Sequence, residues 1–177
     1  MNILVTGGAG FIGSHTIVEL LVAGHNIIIL DNLSNSKLQA LVEVANISKH
    51  KLITKNPLNA KSQDDDLVFV KGDLRDRSLI REMFSRYFIE AVIHFAGLKS
   101  VGESVIKPLE YYSNNVLGSI VLFDEMQRAN VKTIVFSSSA AVYGDTQEAP
   151  ITEKFSTGNV MSPYGSTKLI IEDLLRD

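Results

Sequence analysis

Apolar and polar positions along this chain alternate between two kinds of segment. Short apolar runs rich in Val, Ile, Leu and Phe occupy Asn2–Thr6, Asn26–Leu30, Leu67–Lys71, Ala91–Phe95 and Thr133–Ser137. Unbroken runs of this length suit strands buried on both faces. Between most of them lie longer segments with a helical pattern: Phe11–Ala23, about Ser36–Ile47, Ser78–Tyr87, Pro108–Ala129 and Pro163–Arg176. Pro108 and Pro163 suit a first helical turn, and Gly24 suits a C-terminal cap. The alternation predicts βαβ units, hence an α/β fold with a doubly wound parallel sheet, in one domain over 1–177. One polar segment, Lys49–Asp66, breaks the rhythm. It carries Pro57 and ends in Asp64-Asp65-Asp66, and it predicts a solvated loop insertion. No further ligand types lie near enough in sequence to make that acidic run a metal site. Strand Thr133–Ser137 has no later strand to pair with, so it would form an apolar sheet edge. The sequence therefore reads as the first part of a longer protein, without the domain that would follow.

The first run feeds a glycine-rich turn, Thr6-Gly7-Gly8-Ala9-Gly10-Phe11-Ile12-Gly13. Gly8, Gly10 and Gly13 satisfy G-x-G-x-x-G, and Gly7, Gly10 and Gly13 satisfy G-x-x-G-x-x-G. Such a turn lets backbone approach a pyrophosphate and lets the next helix pack closely on the strand. The amino end of that helix then faces the phosphates. The pattern sits between a strand and a helix, as this chemistry requires. The second strand ends in Asp31, about 20 residues on, where a ribose-binding carboxylate belongs. Together these features predict a Rossmann-type dinucleotide-binding fold.

Composition narrows the classes of partner. The 177 residues are 45% hydrophobic, enough for a sizeable core. A net charge of −3 argues against a broad nucleic-acid or anionic-membrane footprint. There is no cysteine, so disulfides and thiol chemistry are excluded. His15, His25, His50 and His94 lack metal-ligand spacing, and no metal is expected. No secretory leader and no apolar run of membrane-spanning length is seen, so a cytoplasmic location is expected.

A second constellation lies near the end. Tyr164 and Lys168 stand four residues apart, on one face of the predicted last helix. An ammonium beside a phenol stabilises the phenolate, which can then act as a base toward a sugar hydroxyl. By itself Y-x-x-x-K is more often a surface pair. Ser137-Ser138-Ser139 follows the fifth strand, at the carboxyl end where open α/β sheets bind ligands. Ser139 is the candidate to hydrogen-bond a reacting oxygen, while Ser137 and Ser138 read as loop serines. Tyr143 has no lysine four residues later and is the weaker candidate base.

Taken together, these stretches resemble the extended short-chain dehydrogenase/reductases, and within them the UDP-glucose 4-epimerases. The matching runs are Val5–Thr16, Ile29–Leu33, Gly72–Arg75, Val92–Lys99, Val101–Val105 and Pro108–Tyr112. Asn114-Asn115-Val116, the triple serine and Ser162–Gly165 complete them. His94-Phe95-Ala96-Gly97-Leu98-Lys99 and the triple serine are narrower signals than the glycines.

The resemblance implies a bound NAD, with Gly7, Gly10, Phe11, Ile12 and Gly13 at its pyrophosphate. Asp31 would hold the adenosine ribose, with Asn32, Leu33, Asn35 and Ser36 nearby and Asp73 and Leu74 at the adenine. No arginine follows Asp31, which favours NAD over NADP. Phe95, Ala96, Gly97 and Lys99 would line the cofactor, and Asn114 would support it from the long helix. Ser139, Tyr164 and Lys168 would be the catalytic set, with Lys99, Ser139 and Tyr164 at the substrate. The implied reaction interconverts UDP-galactose and UDP-glucose through a 4-keto sugar. A homodimer through helices 108–129 and 163–176 is also implied.

Other readings stay open beside this one. A nucleotide-sugar 4,6-dehydratase shares the Tyr/Lys pair, but that family has an Asp-Glu pair where this chain has Ser138-Ser139. An epimerase of N-acetylated UDP-sugars fits the same motifs. A non-catalytic NAD-binding module fits a chain without the substrate domain. Two departures from the family pattern stand out: Ala141 replaces a common threonine, and the 49–66 insertion is long.

Overall fold

In the computed structural model, which describes residues 1–54, 66–145 and 150–177, the apolar runs pair into one parallel sheet. Its strands are β1 (Asn2–Thr6), β2 (Asn26–Asp31), β3 (Lys51–Ile53), β4 (Asp66–Lys71), β5 (Ala91–His94) and β6 (Thr133–Phe136). They lie in the order β3-β4-β2-β1-β5-β6. Helix α1 (Phe11–Val22) connects β1 to β2, α2 (Leu38–Ser48) connects β2 to β3, and α3 (Arg77–Tyr87) connects β4 to β5. The chain leaves β1 toward β2 on one side and reaches β5 on the other. The β1/β5 boundary is therefore the topological switch point, beside which open α/β sheets bind ligands.

Alternation along each strand fills two cores. Leu4, Ile28, Leu30, Val68, Val70 and Val92 face Ile80, Met83 and Phe84 of α3. On the same side they meet Val121, Leu122 and Met126 of α6 (Gly118–Arg128). Ile3, Val5, Ile27, Ile29, Leu67 and Phe69 face Ile17 and Leu21 of α1 and Leu41 and Val44 of α2. Strands β1, β2, β4 and β5 thus bury apolar side chains on both faces, which is why those runs are unbroken. Glu125 of α6, 2% exposed, accepts from Arg77 and Arg81 of α3 and ties those two helices together.

The chain divides into two units, Met1–Ala96 with Val121–Ser137, and Gly97–Ile120 with Ser138–Asp177. The sheet belongs to the first. The second holds α4 (Val101–Ile106), α5 (Pro108–Tyr111), a π-helical turn (Tyr112–Leu117) and the start of α6. It also holds a 3-10 turn (Ala140–Tyr143) and α7 (Pro163–Arg176). Here buried Tyr111 donates its hydroxyl to Glu103 Oε2 at 3.0 Å and accepts from the Ser100 amide at 3.0 Å.

Several expectations are corrected. The polar stretch from Lys49 is not all loop: Lys49 takes the left-handed conformation (φ 59°), and β3 then pairs with β4, Leu52 opposite Leu67. Residues 55–65, with Pro57, Asp64 and Asp65, lie outside the described residues. The helix expected from Ser36 begins at Leu38, after Lys37 in an extended conformation, and the Ser36 hydroxyl donates to Asp31. The expected single helix Pro108–Ala129 carries the π-helical turn inside it. Helix α4 and the 3-10 turn were not expected. As expected, β6 is a sheet edge among the described residues, with Val135 59% exposed.

Candidate active site

In the first unit the chain turns as soon as β1 ends. Gly7 has φ +69°, and a Cβ there would lie 2.6 Å from the Ala96 amide nitrogen. A Cβ on Gly13 would lie 2.5 Å from the Gly7 carbonyl oxygen. Glycine is therefore required at both places, once for the turn and the close approach, once for the packing of α1. Gly10 is the N-cap of α1, and Phe11 and Ile12 stand exposed on its first turn. Thr6 Oγ1 lies 2.6 Å from His94 Nδ1 and accepts from the Ala96 amide at 3.4 Å, while the Phe95 amide donates to the Thr6 carbonyl. The carboxyl ends of β1 and β5 are thus joined side by side.

Asp31 closes β2 and is buried. Its Oδ2 accepts from the Ala9 amide at 3.0 Å. Its Oδ1 accepts from the Leu33 amide and from Ser36 Oγ, both at 2.8 Å. About four lone-pair sites are available on a carboxylate, so roughly one remains for a ligand hydroxyl. Leu33 holds φ 60°, a strained conformation for so bulky a residue. Asn32 donates to Asp73 at 3.2 Å, and Arg75 grips Asp73 through Nε and Nη2 at 2.8 and 2.7 Å. The Arg75 guanidinium holds the Asp73 carboxyl well below the usual carboxylate range. Leu74 is committed to the core, which leaves only its backbone for a ligand. Asn35 is exposed.

Gly97, Lys99, Asn114, Ser139, Tyr164 and Lys168 belong to the second unit. Ser162 caps α7, its Oγ accepting from the Gly165 amide at 3.1 Å, and Pro163 occupies the first turn. Tyr164 and Lys168 follow one turn apart. Lys168 is 5% exposed, and burial pushes its pKa from 10.5 down to about 8. At neutral pH it is still mostly an ammonium. Half-buried Ser139 caps the 3-10 turn, its Oγ accepting from the Ala141 amide at 3.2 Å. A hydroxyl that accepts in this way keeps its own hydrogen to donate. That turn packs on α7 beside Tyr164: a Cβ on Gly165 would lie 3.2 Å from the Ala141 oxygen. Lys99 is exposed.

Sequence reasoning missed Asn115. It is 3% exposed, and its side chain accepts from the Leu98 amide (2.8 Å) and from Asn114 Nδ2 (3.0 Å). It donates to the Leu98 carbonyl (2.9 Å) and to Thr167 Oγ1 (3.1 Å). Thr167 in turn donates to the Tyr164 carbonyl at 2.7 Å. Asn115 thus joins the residues after β5 to the helix of Tyr164 and Lys168. A signal was present: Tyr111, Asn115 and Ser119 recur every four residues on the buried stripe of the long helix. Among the described residues, no group of three His, Asp or Glu side chains could hold a metal. No described helix is long and apolar enough to cross a membrane.

Residues 3–177 match the NAD dependent epimerase/dehydratase family. The chain is 50% identical over 177 residues to a UDP-glucose 4-epimerase of Yersinia enterocolitica, covering 100% of this chain and 48% of that protein. It is 52% identical to the Bacillus subtilis UDP-glucose 4-epimerase, with the same coverage. Its fold superposes with a TM-score of 0.90 on the UDP-glucose 4-epimerase of Bifidobacterium longum in complex with NAD+ and UDP. That protein is 46% identical, and the match covers 100% of this chain and 48% of the other. The chain spans about half the length of the curated relatives it matches. With the Rossmann-type sheet, the glycine turn and the Tyr164/Lys168 helix in place, this chain belongs to the NAD dependent epimerase/dehydratase family.

Proposed function

We propose that this chain carries the cofactor-binding and proton-transfer groups of a UDP-glucose 4-epimerase, which interconverts UDP-galactose and UDP-glucose through a 4-keto sugar. The observation that carries the reading is the buried Lys168 one turn from Tyr164 on α7, with capped Ser139 on the turn packed against that helix. Gly7 and Gly13 leave room where Cβ atoms would collide with backbone, as close approach to a pyrophosphate needs. Asp31 retains acceptor capacity for the adenosine ribose. The residues fit NAD, which when bound would supply reversible oxidation at the sugar C4.

Tyr164 takes the proton of the 4-hydroxyl, and Lys168 stabilises the phenolate by its charge. Ser139 donates a hydrogen bond to the sugar O4 and holds that oxygen in place. The return step uses the same groups on the other face of the sugar. Lys99, exposed after β5, contributes to both ligands, and Asn114 supports the site through Asn115. Serines at 138 and 139 supply no acid and base for water elimination, which favours epimerisation over dehydration. A cytoplasmic location is part of this reading, and cell fractionation tests it.

Dimerisation belongs to the same reading. The run 108–129 exposes Leu109, Leu117 and Ile120, and α7 exposes Leu174 and Leu175. A second copy covering them would remove this apolar surface from water.

Conversion of UDP-galactose by the purified chain with NAD tests the function. Tyr164→Phe is expected to abolish it. Coverage of 48% of the relatives favours a second reading, in which NAD binds and turnover needs further chain. NAD binding without conversion would support that second reading against the first.

A further inference from the structure

Two contacts within the second unit fasten the Ser139 segment to α7. At one end Gly165 admits Ala141: a Cβ there would lie 3.2 Å from the Ala141 oxygen and 3.3 Å from its Cβ. At the other end the Ser138 hydroxyl donates to Glu172 Oε1. Gly165 and Glu172 are seven residues apart, two turns along one face, which spans about 10 Å. Residues 138 to 141 therefore lie along the helix, pinned at both ends. Ser139 sits between the pins, with its Oγ oriented by the Ala141 amide. Glu172 lies four residues beyond Lys168, so the pin is built into the helix that carries Tyr164 and Lys168.

We infer that Glu172 is a positioning residue for Ser139: through Ser138 it holds the 138–143 segment against α7, in register with Tyr164 and Lys168. The role assigned to Ser139 rests on the proposed epimerase reading, whereas the clasp itself does not. A carboxylate suits the task. It accepts a charge-assisted hydrogen bond and presents two oxygens, so the serine stays engaged as the side chain moves. Without it the 3-10 turn keeps the Gly165 contact and the bond from the Gly158 amide to the Val142 carbonyl, and its Ser138 end is released. The Ser139 hydroxyl then swings relative to the phenol, and a displacement of about 1 Å costs catalysis heavily.

The test uses the full chain with Glu172→Ala, Glu172→Gln, Ser138→Ala and the Ser138→Ala/Glu172→Ala pair. Amide hydrogen exchange is read at Ala141 and Val142, and kcat and KM are measured for UDP-galactose with NAD. Each alanine variant is expected to speed exchange at Ala141 about tenfold, the pair no more than either alone. Glu172→Gln keeps an acceptor oxygen and stays within about twofold of the parent. In turnover, kcat falls about tenfold in the alanine variants with KM unchanged, and Gln restores it. Unchanged exchange at Ala141 in Glu172→Ala, or fully additive effects in the pair, would overturn the clasp. Ser138→Ala leaves α7 untouched and decides the matter if Glu172→Ala fails to fold. A parent chain that converts no UDP-galactose removes the epimerase reading for this chain, while the exchange data still decide the clasp.

Discussion

At the scale of single residues, the candidate site depends on charges and dipoles held where water cannot compensate them. Lys168 is the clearest case, since burial alone lowers its pKa to about 8. The unfolded chain, with its lysine near 10.5, binds more protons than the folded chain between pH 8 and 10.5. The burial penalty is fully present below pH 8 and is relieved as pH rises through that window. Its size is on the order of 3 kcal/mol. Lys168→Met should therefore gain stability relative to the parent at pH 7, and the gap should close by pH 10.5. Denaturant unfolding at the two pH values checks this, and a gap independent of pH would refute it. Asp31, Tyr164 and Lys168 were legible as candidates, because they sit at spacings that the proposed chemistry demands. Asn115 was overlooked although it lies on the buried helical stripe. What it does depends on Leu98 and Thr167, 17 and 52 residues away in sequence.

At the scale of elements, strand and helix types followed from pattern, while their ends followed from side-chain partners. Asp76 caps α3 by accepting from the Leu79 amide, so that helix begins at Arg77 and not at Ser78. The π-helical turn within 112–117 has no signature in periodicity, since one added residue per turn shifts the pattern only locally. Strand β3 was hidden for a similar reason. Three residues between polar neighbours carry too little alternation to be read, and only pairing with β4 makes them a strand. Close approach gives a prediction at this scale. Gly165→Ala gains helix propensity, but its Cβ would lie 2.7 Å from Val160 Cγ1 and 3.2 Å from the Ala141 oxygen. The collision outweighs the gain. We expect a net loss of about 1 to 2 kcal/mol and weakened turnover, measured by thermal unfolding and UDP-galactose conversion. A variant more stable than its parent would show that the 3-10 turn yields freely.

At the scale of the whole molecule, the exposed leucines of two helices argue for a second copy. Leu109 is 82% exposed, and Leu117 47%. Light scattering on the parent should report a dimer, and Leu109→Asp with Leu117→Asp should give a monomer of unchanged helicity. A monomeric parent would count against the dimer. By itself the sequence determined the α/β class, the succession of the longer apolar strands and their helices, the glycine turn followed by Asp31, and the four-residue spacing of Tyr164 and Lys168 on one helix. Each of these rests on local periodicity or on fixed spacing along one element, which a chain carries without folding. Tertiary structure alone decided the strand order, the pairing of β3, the burial that lowers the Lys168 pKa, the engagement of Asp31 by Ala9, Leu33 and Ser36, the Asn115 hub and the Ser138–Glu172 clasp. Those depend on which distant segments meet, and the contact partners are set by the packing of both sheet faces and of α7, not by any local stretch of sequence.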